Sequence, residues 1–155
     1  MNSVRRKDRE ITANEACSIL KTGEYGILST VGDNGQPYGI PLSYVYEADS
    51  IYFHCAIAGQ KLDNIALHPN VSFCVVGRTT VLPDKFGTEY ESVVVFGSAT
   101  EIHDSERRKA LIWLLEKYCS EYLNEGLQYI EMKEKATKVF KIEISHISGK
   151  ARRSA

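Results

Sequence analysis

Apolar residues recur along the chain at two spacings, one typical of strands and one typical of helices. Alternating or short continuous apolar runs predict strands over residues 25–31, 37–47, 51–55, 71–80, 89–102 and 138–148. A capping-box sequence that begins at Thr12 predicts a short helix ending near Gly23. A second short helix is predicted over residues 61–67, and a helix pair follows residue 104, with its weaker second member over about residues 127–136.

The order of these elements decides the fold class. Strands that alternate with helices would indicate a parallel, doubly wound sheet, whereas here most strands follow one another directly. We therefore predict a mainly β fold, a six-stranded antiparallel barrel with helices packed outside it. The 155 residues are enough for one hydrophobic core, so residues 1–155 are predicted to form a single domain.

The second predicted strand contains two prolines, Pro37 and Pro41. Proline has no backbone N–H to donate to a neighbouring strand. We therefore expect this strand to be bulged or partly unpaired near its middle, which leaves backbone groups free for a ligand. Ser43, Tyr44 and Tyr46 follow, and they could line a planar ligand with polar edges. For most of the nine tyrosines, an ordinary place in an amphipathic barrel wall is the favoured alternative.

The fifth predicted strand has four apolar residues in a row, Val93, Val94, Val95 and Phe96. An antiparallel strand with one face in water should instead alternate apolar and polar residues. Either both faces of this strand are covered within one protomer, or one face meets a partner subunit. The second interpretation is favoured because so small a chain has few elements left to cover both faces.

Composition and charge exclude several classes of partner. Hydrophobic residues make up 43% and charged residues 25%, a balance typical of globular proteins. The net charge of −1 gives no general attraction to nucleic acid or to an anionic membrane. The basic N-terminal residues precede no apolar run, so no signal peptide is predicted, and no segment is long enough to cross a bilayer. We expect a cytoplasmic protein without nucleic-acid or membrane partners.

The cysteines do not indicate a metal site. The four are widely spaced, with no C-x-x-C motif and no paired histidine, and they are predicted to be free thiols in a reducing compartment. No serine lies in a G-x-S-x-G motif, so a catalytic triad is not supported.

Residues 51–63 carry the strongest candidate chemistry, as a strand, a turn and a helix start. Gly59 permits close backbone approach, and Lys61 adds a positive charge where the helix N-terminus leaves N–H groups unpaired, an arrangement that suits phosphate. Taken alone, such a sequence is more often only a turn. His54 on the strand is either a half-buried histidine satisfied by a carbonyl, the commoner case, or a hydrogen-bond or proton donor to a substrate.

Several segments, in order along the chain, resemble the nitroimidazole-resistance (Nim-type) flavoproteins. They are RRKDREI at 5–11, GILST at 26–30, PYGIPLSYVY at 37–46, IYFHCA at 51–56, GQKLDNI at 59–65, PNVSF at 69–73 and YESV at 90–93. The resemblance covers most of the chain, and the motifs together are far more specific than any one of them.

That group belongs to the pyridoxamine 5'-phosphate oxidase-like split barrels, which are homodimers with flavin, usually FMN, in two clefts at the subunit interface. The resemblance therefore implies a six-stranded antiparallel FMN-binding split barrel of Greek-key type, with FAD as a possible replacement for FMN. Residues 41–45 and 54–61 of one subunit would hold the flavin, and residues 91–93 and the C-terminal tail would approach from the partner. The implied flavin-binding residues are Pro41, Leu42, Ser43, Tyr44, His54, Cys55, Ala56, Gly59, Lys61, Glu91, Ser92, Val93 and Lys150.

The resemblance also implies an activity, the nicotinamide-dependent reduction of nitroaromatic or similar small electrophilic acceptors. Lys61 would bind the phosphate, Ser43 would fix the ring edge, and His54 would be the catalytic residue that orients or protonates the acceptor. Pyridoxal phosphate synthesis is not expected, because the arginine-rich phosphate sites and Arg-x-x-Pro ending associated with it are not evident. Two alternatives are a flavin-binding redox sensor or store without turnover, and a haem-binding split barrel with His54 as axial ligand.

Overall fold

The structure, a computed structural model, describes residues 4–153. Its strands are β1 (Gly26–Val31), β2 (Pro37–Leu42), β3 (Val45–Glu47), β4 (Ser50–Cys55), β5 (Asn70–Leu82), β6 (Gly87–Ile102) and β7 (Lys138–Arg152). Its α-helices are α1 (Ala13–Thr22), α2 (Gln60–Leu67), α3 (Asp104–Tyr118) and α4 (Leu123–Met132). Among these residues, no helix combines the length and apolar character needed to span a membrane.

The predicted count of six strands is wrong, because the second predicted strand is two strands. β2 pairs with β1, and β3 pairs with β4, so the chain breaks at Ser43 and Tyr44 and changes partners there. The expected interruption of this strand is confirmed in that form. Both prolines lie in β2, an edge strand, where a missing backbone N–H costs no pairing on the open side.

The strands form one antiparallel sheet in the order β2-β1-β5-β6-β7-β4-β3. Its two edge strands, β2 and β3, are consecutive in the chain and are joined only by Ser43 and Tyr44. A link of that length spans at most about 11 Å. The sheet must therefore curl until its edges approach each other. The predicted mainly β, antiparallel split barrel with flanking helices is confirmed.

The barrel interior is filled by large apolar side chains and closed by α1. The capping box at Thr12 is confirmed: its hydroxyl accepts from the Glu15 N–H at 3.3 Å, and the Glu15 carboxylate accepts from the Thr12 N–H at 3.0 Å. α1 then places its apolar face on the core. The largest side chains there, all without solvent exposure, are Tyr44, Phe53 and Phe73.

A second apolar cluster holds α3 against the outside of the barrel. Leu111 and Leu114 of α3 pack with Tyr52 of β4 and Val139 of β7. α4 packs on α3 in turn, and Gly126 permits this because a Cβ there would lie 2.6 Å from the Leu115 side chain. The helix pair predicted after residue 104 is present, and it lies over the face of β4 that faces away from the barrel interior. α4 begins and ends about four residues earlier than predicted.

The apolar character of β6 divides between its two faces. Val93 and Val95 are fully buried in the barrel, whereas Val94 and Phe96 point outward and are only half-buried. The outer face continues onto β5, where Val76 is 58% exposed. Residues 4–153 of a single chain therefore leave part of an apolar sheet face uncovered.

Candidate functional site

The C-terminal end of β4 presents a histidine on the outer face of the barrel. Phe53 and Cys55 point into the core, so His54 points the opposite way, toward α3 and α4. Its side chain forms no hydrogen bond or ion pair with any residue in the described range 4–153. Within residues 4–153, no backbone carbonyl accepts a hydrogen bond from the His54 ring, so the structure does not support the alternative of a strand histidine satisfied in that way.

Two effects lower the pKa of His54 from its ordinary value of 6.5. The larger is burial, because protein packs around the ring even though solvent reaches the side chain; the smaller is the positive charge of Lys61. The imidazole is consequently neutral for the most part at pH 7. It can then donate one hydrogen bond and accept another.

The turn after β4 forms an open backbone cradle at the start of α2. Gly59 has φ +142° and ψ 162°, a conformation that side-chain-bearing residues rarely adopt, and the space beside its Cα is empty within 4 Å. Within residues 4–153, the N–H groups of Gln60 and Lys61 have no hydrogen-bond acceptor. Such groups at a helix start attract an anion.

Lys61 is the cation of this turn. Its ammonium group forms no ion pair with any described residue, yet its charge acts on both His54 and Cys55. Cys55 itself is buried, and burial raises the pKa of its thiol. Cys55 is thus a protonated, packed side chain, and the free positive charge and free N–H groups make the turn a fit for the phosphate of a flavin nucleotide.

An apolar cavity of about 330 Å³ lies beside His54, between the end of β4 and the α3–α4 pair. Its wall consists of Ser43, His54, Arg107, Leu111, Leu114, Leu115, Tyr118, Cys119, Tyr129, Ile130, Lys133 and Thr137. The volume is at the lower end of the range of about 300–1,000 Å³ in which proteins bind small molecules. His54 therefore separates an anion-attracting turn from an apolar cavity.

The link between β2 and β3 is held by α3, contrary to the expectation of free backbone groups at the break. The Tyr44 N–H donates to the Tyr118 hydroxyl at 3.0 Å, and the Lys117 ammonium donates to the Tyr44 carbonyl at 2.9 Å. The Tyr44 hydroxyl donates to the carbonyl of Leu20. Tyr44 thus has its polar groups engaged, and of the two linking residues it is Ser43 that lines the cavity.

The half-buried Lys117 ammonium lies 3.9 Å from the centroid of the Tyr44 ring, and its partial burial lowers the pKa of Lys117 to about 8. The Tyr118 hydroxyl also donates to the Glu24 carbonyl at 2.6 Å, and burial raises the pKa of this tyrosine. Both side chains therefore fasten the cavity wall to the barrel.

The structure brings together only part of the predicted flavin site. Ser43, His54, Cys55, Ala56, Gly59 and Lys61 lie at or beside the end of β4, and Pro41 and Leu42 immediately precede Ser43. Glu91, Ser92, Val93 and Lys150 lie elsewhere in the same chain. Ser92 pairs with Lys150, near the opposite end of β6 from Ile102, which lies on the His54 side of the sheet. An extended strand of that length places the two groups roughly 30 Å apart.

The remote group has its own local contacts. The Val93 side chain is fully buried in the core, and the Glu91 carboxylate accepts from Arg153 at 3.3 Å. The β7 strand extends four residues past the predicted end, to Arg152, so part of the basic C-terminal segment is held in the sheet. Within one chain these residues cannot reach the turn at Gly59.

Arg107 is a wall residue that sequence reasoning missed. Its guanidinium donates to the carbonyls of Glu134 and Thr137 at 3.0 and 3.1 Å and so fastens α3 to the segment after α4. The amphipathic spacing of the leucines in α3 was a signal for a packed helix. That spacing could not show that α4 would cross α3 and leave a cavity above His54.

The curled antiparallel sheet with helices packed outside it is the fold of the split-barrel proteins. The chain belongs to the pyridoxamine 5'-phosphate oxidase family, whose model matches residues 12–151. No curated protein matches the sequence at a significant level.

Three solved structures share the fold. A conserved Mycobacterium tuberculosis protein of unassigned function is 19% identical, with TM-score 0.82 and coverage of 99% of this chain and 97% of that chain. A Bacteroides thetaiotaomicron protein, to which 5-nitroimidazole antibiotic resistance is provisionally ascribed, is 21% identical, with TM-score 0.75 and coverage of 92% and 86%. An FAD-binding protein from Mesorhizobium loti is 26% identical, with TM-score 0.68 and coverage of 94% and 98%.

Proposed function

We propose that this protein is an FMN-binding reductase that passes electrons from a reduced nicotinamide to a small electrophilic acceptor, such as a nitroaromatic compound. One observation carries the proposal: an imidazole with no partner among the described residues lies between a phosphate-type turn and an apolar cavity. The FAD-binding protein of M. loti supports the flavin, with FAD as a possible substitute, and the B. thetaiotaomicron protein supports the acceptor class.

Different residues of the chain would bind the flavin and act on the acceptor. The N–H groups of Gln60 and Lys61 and the Lys61 ammonium would hold the phosphate, and Ser43 would contact the ring edge. Bound flavin supplies hydride chemistry between the nicotinamide and the acceptor. His54 would donate a hydrogen bond or a proton to the acceptor as negative charge develops on it.

The reductase activity has a direct test. Protein saturated with FMN is mixed without oxygen with NADH or NADPH and with nitrobenzene, and the loss of reduced nicotinamide and of nitrobenzene is followed. We expect both losses to depend on FMN and on protein. Tight FMN binding with nicotinamide oxidation no faster than free FMN gives would contradict a reductase and favour a flavin sensor or store.

The proposal includes a homodimer, in which Glu91, Ser92, Val93 and Lys150 approach the flavin from the partner subunit. Its support is the roughly 30 Å gap within one chain and the uncovered apolar face of β6. Phe86, at the tip of the β5–β6 hairpin, is 96% exposed and adds a further uncovered apolar side chain.

Val94→Glu places a charge in the proposed interface. It is expected to raise the dimer dissociation constant about tenfold or more, since burying an unpaired carboxylate is costly. Sedimentation velocity over a range of protein concentrations measures the change. Thr100→Glu, on the same strand face but exposed, is the matched control and should leave the constant unchanged. A wild-type chain that sediments as a monomer would remove this part of the proposal.

Gly59→Ala tests the backbone cradle. A Cβ at φ +142° strains the turn at a cost of about 1–3 kcal/mol, so the turn should rearrange and FMN should bind about tenfold more weakly. Gly35→Ala is the control, because Gly35 also has a positive φ, of +78°, with open space beside it, but lies in the β1–β2 turn. Both variants should melt at lower temperature, and only Gly59→Ala should weaken FMN in a fluorescence titration. Equal FMN affinity for the two variants would exclude the cradle.

A further inference from the structure

The cavity beside His54 has a wall that selects for an uncharged ligand. α3 and α4 contribute leucine, isoleucine and tyrosine surfaces, among them Leu111, Leu115 and Ile130. An anion or cation taken into such surroundings loses its hydration, and it needs a charged partner to compensate. The nature of the polar side chains in the wall therefore decides what the cavity can accept.

Two of the polar wall groups are already committed. The Arg107 guanidinium is bonded to two backbone carbonyls and is within 3.9 Å of the Glu134 carboxylate. The Tyr118 hydroxyl bonds the backbone of Tyr44 and of Glu24. Lys133 is exposed to solvent, where an ion pair contributes little. Among the described residues, the His54 imidazole and the Tyr129 hydroxyl are the ring groups of the wall that form no hydrogen bond. Tyr129 is 60% exposed on α4, so the neutral imidazole of His54 is the hydrogen-bonding ring available at the end of β4.

We propose that this cavity binds the electron acceptor and that it selects flat, uncharged, mainly apolar ring compounds whose single polar group meets His54. This inference rests on the proposed function and names the acceptor class and the helix pair that selects it. The flavin ring is a poorer occupant, because its two carbonyls and ring nitrogens need several hydrogen-bond partners. The wall presents mostly hydrocarbon surface to such a ring and therefore supplies few of these partners.

A pair of matched compounds tests the selection. Nitrobenzene and 4-nitrobenzoate share the ring and the nitro group and differ by one carboxylate. Equilibrium dialysis of each compound is carried out with flavin-free protein and with FMN-saturated protein. We expect nitrobenzene to bind at least about tenfold more tightly than 4-nitrobenzoate in both forms. Equal affinities, or tighter binding of the carboxylate, would overturn the inference.

The same dialysis distinguishes the two possible occupants. If saturation with FMN abolishes nitrobenzene binding, the cavity holds the flavin ring, and the acceptor assignment is overturned. Because nitrobenzene is also tested on flavin-free protein, its binding to the cavity can be measured even if the protein takes up no FMN. Failure of the flavin proposal and failure of the cavity inference therefore give different results.

A cavity-filling variant locates the compound. Ile130→Trp extends a larger side chain from α4 into the cavity and should weaken nitrobenzene binding about tenfold or more. Met132→Trp makes the same type of change on the same helix, at a side chain that is 79% exposed, and should bind nitrobenzene as the wild type does. A thermal melt confirms that each variant folds. Wild-type affinity in a folded Ile130→Trp protein would overturn the location.

Discussion

His54→Ala is expected to lower the turnover of a nitroaromatic acceptor about a hundredfold while FMN affinity changes little. The imidazole lines the apolar cavity, and removing it takes away the hydrogen-bonding ring at the end of β4 that would meet the charge developing on the acceptor. Steady-state kinetics with FMN-saturated protein measure the turnover, and a fluorescence titration measures FMN affinity. Unchanged turnover with intact FMN binding would remove the catalytic role of His54.

The pH profile shows which form of His54 acts. Burial and the charge of Lys61 put its pKa below 6.5, so the proton-donating imidazolium is scarce at pH 8 and increases as the pH falls toward that pKa. If His54 donates a proton, wild-type turnover rises from pH 8 to pH 6 and the His54→Ala profile is flat. His54→Gln, which can hydrogen-bond but not transfer a proton, separates the two roles: it restores turnover only if orientation is what matters.

Lys61→Ala is expected to weaken FMN binding about 10- to 100-fold, because a charge-assisted contact to phosphate contributes about 1.5–3 kcal/mol. Riboflavin has the same ring without the phosphate, so its affinity should be the same for Lys61→Ala and for the wild type. The comparison isolates the contact between the ammonium group and the phosphate.

Lys21→Ala is the control for the loss of a positive charge. Lys21 lies on α1 with 68% of its side chain exposed, and its ion pair with Glu47 is 3.9 Å long. The Lys21→Ala variant should bind FMN and riboflavin as the wild type does. If Lys61→Ala weakens both flavins equally, Lys61 supports the turn without contacting the phosphate.

Local features of the fold could be predicted from the sequence because neighbouring residues determine them. The capping box at Thr12 satisfies its own N–H groups, and Gly59 occupies a backbone conformation that suits glycine. The turn at Gly59 and the start of α2, which form the anion-attracting part of the site, are likewise determined by neighbouring residues. The sequence also predicts a strand with His54 near its end, and the structure confirms this in β4.

The remaining features depend on how distant elements meet. The two prolines predicted an interruption, but only the curled sheet explains why the chain after Leu42 crosses to the other sheet edge. Tyr44 looked like a ligand-lining residue, yet the crossing carries its ring into the core beside Phe73, at a centroid distance of 4.9 Å. The cavity needs β4, α3 and α4 together, so no single segment of sequence could predict it.

The most direct test of a flavoprotein is a visible absorbance titration of the purified protein with FMN, followed by gel filtration. A yellow protein fraction is expected, with one flavin per chain retained and the flavin spectrum shifted from that of free FMN. A colourless protein that takes up neither FMN nor FAD from a saturating solution would contradict the assignment of the turn at Gly59 and Lys61 as a flavin phosphate site.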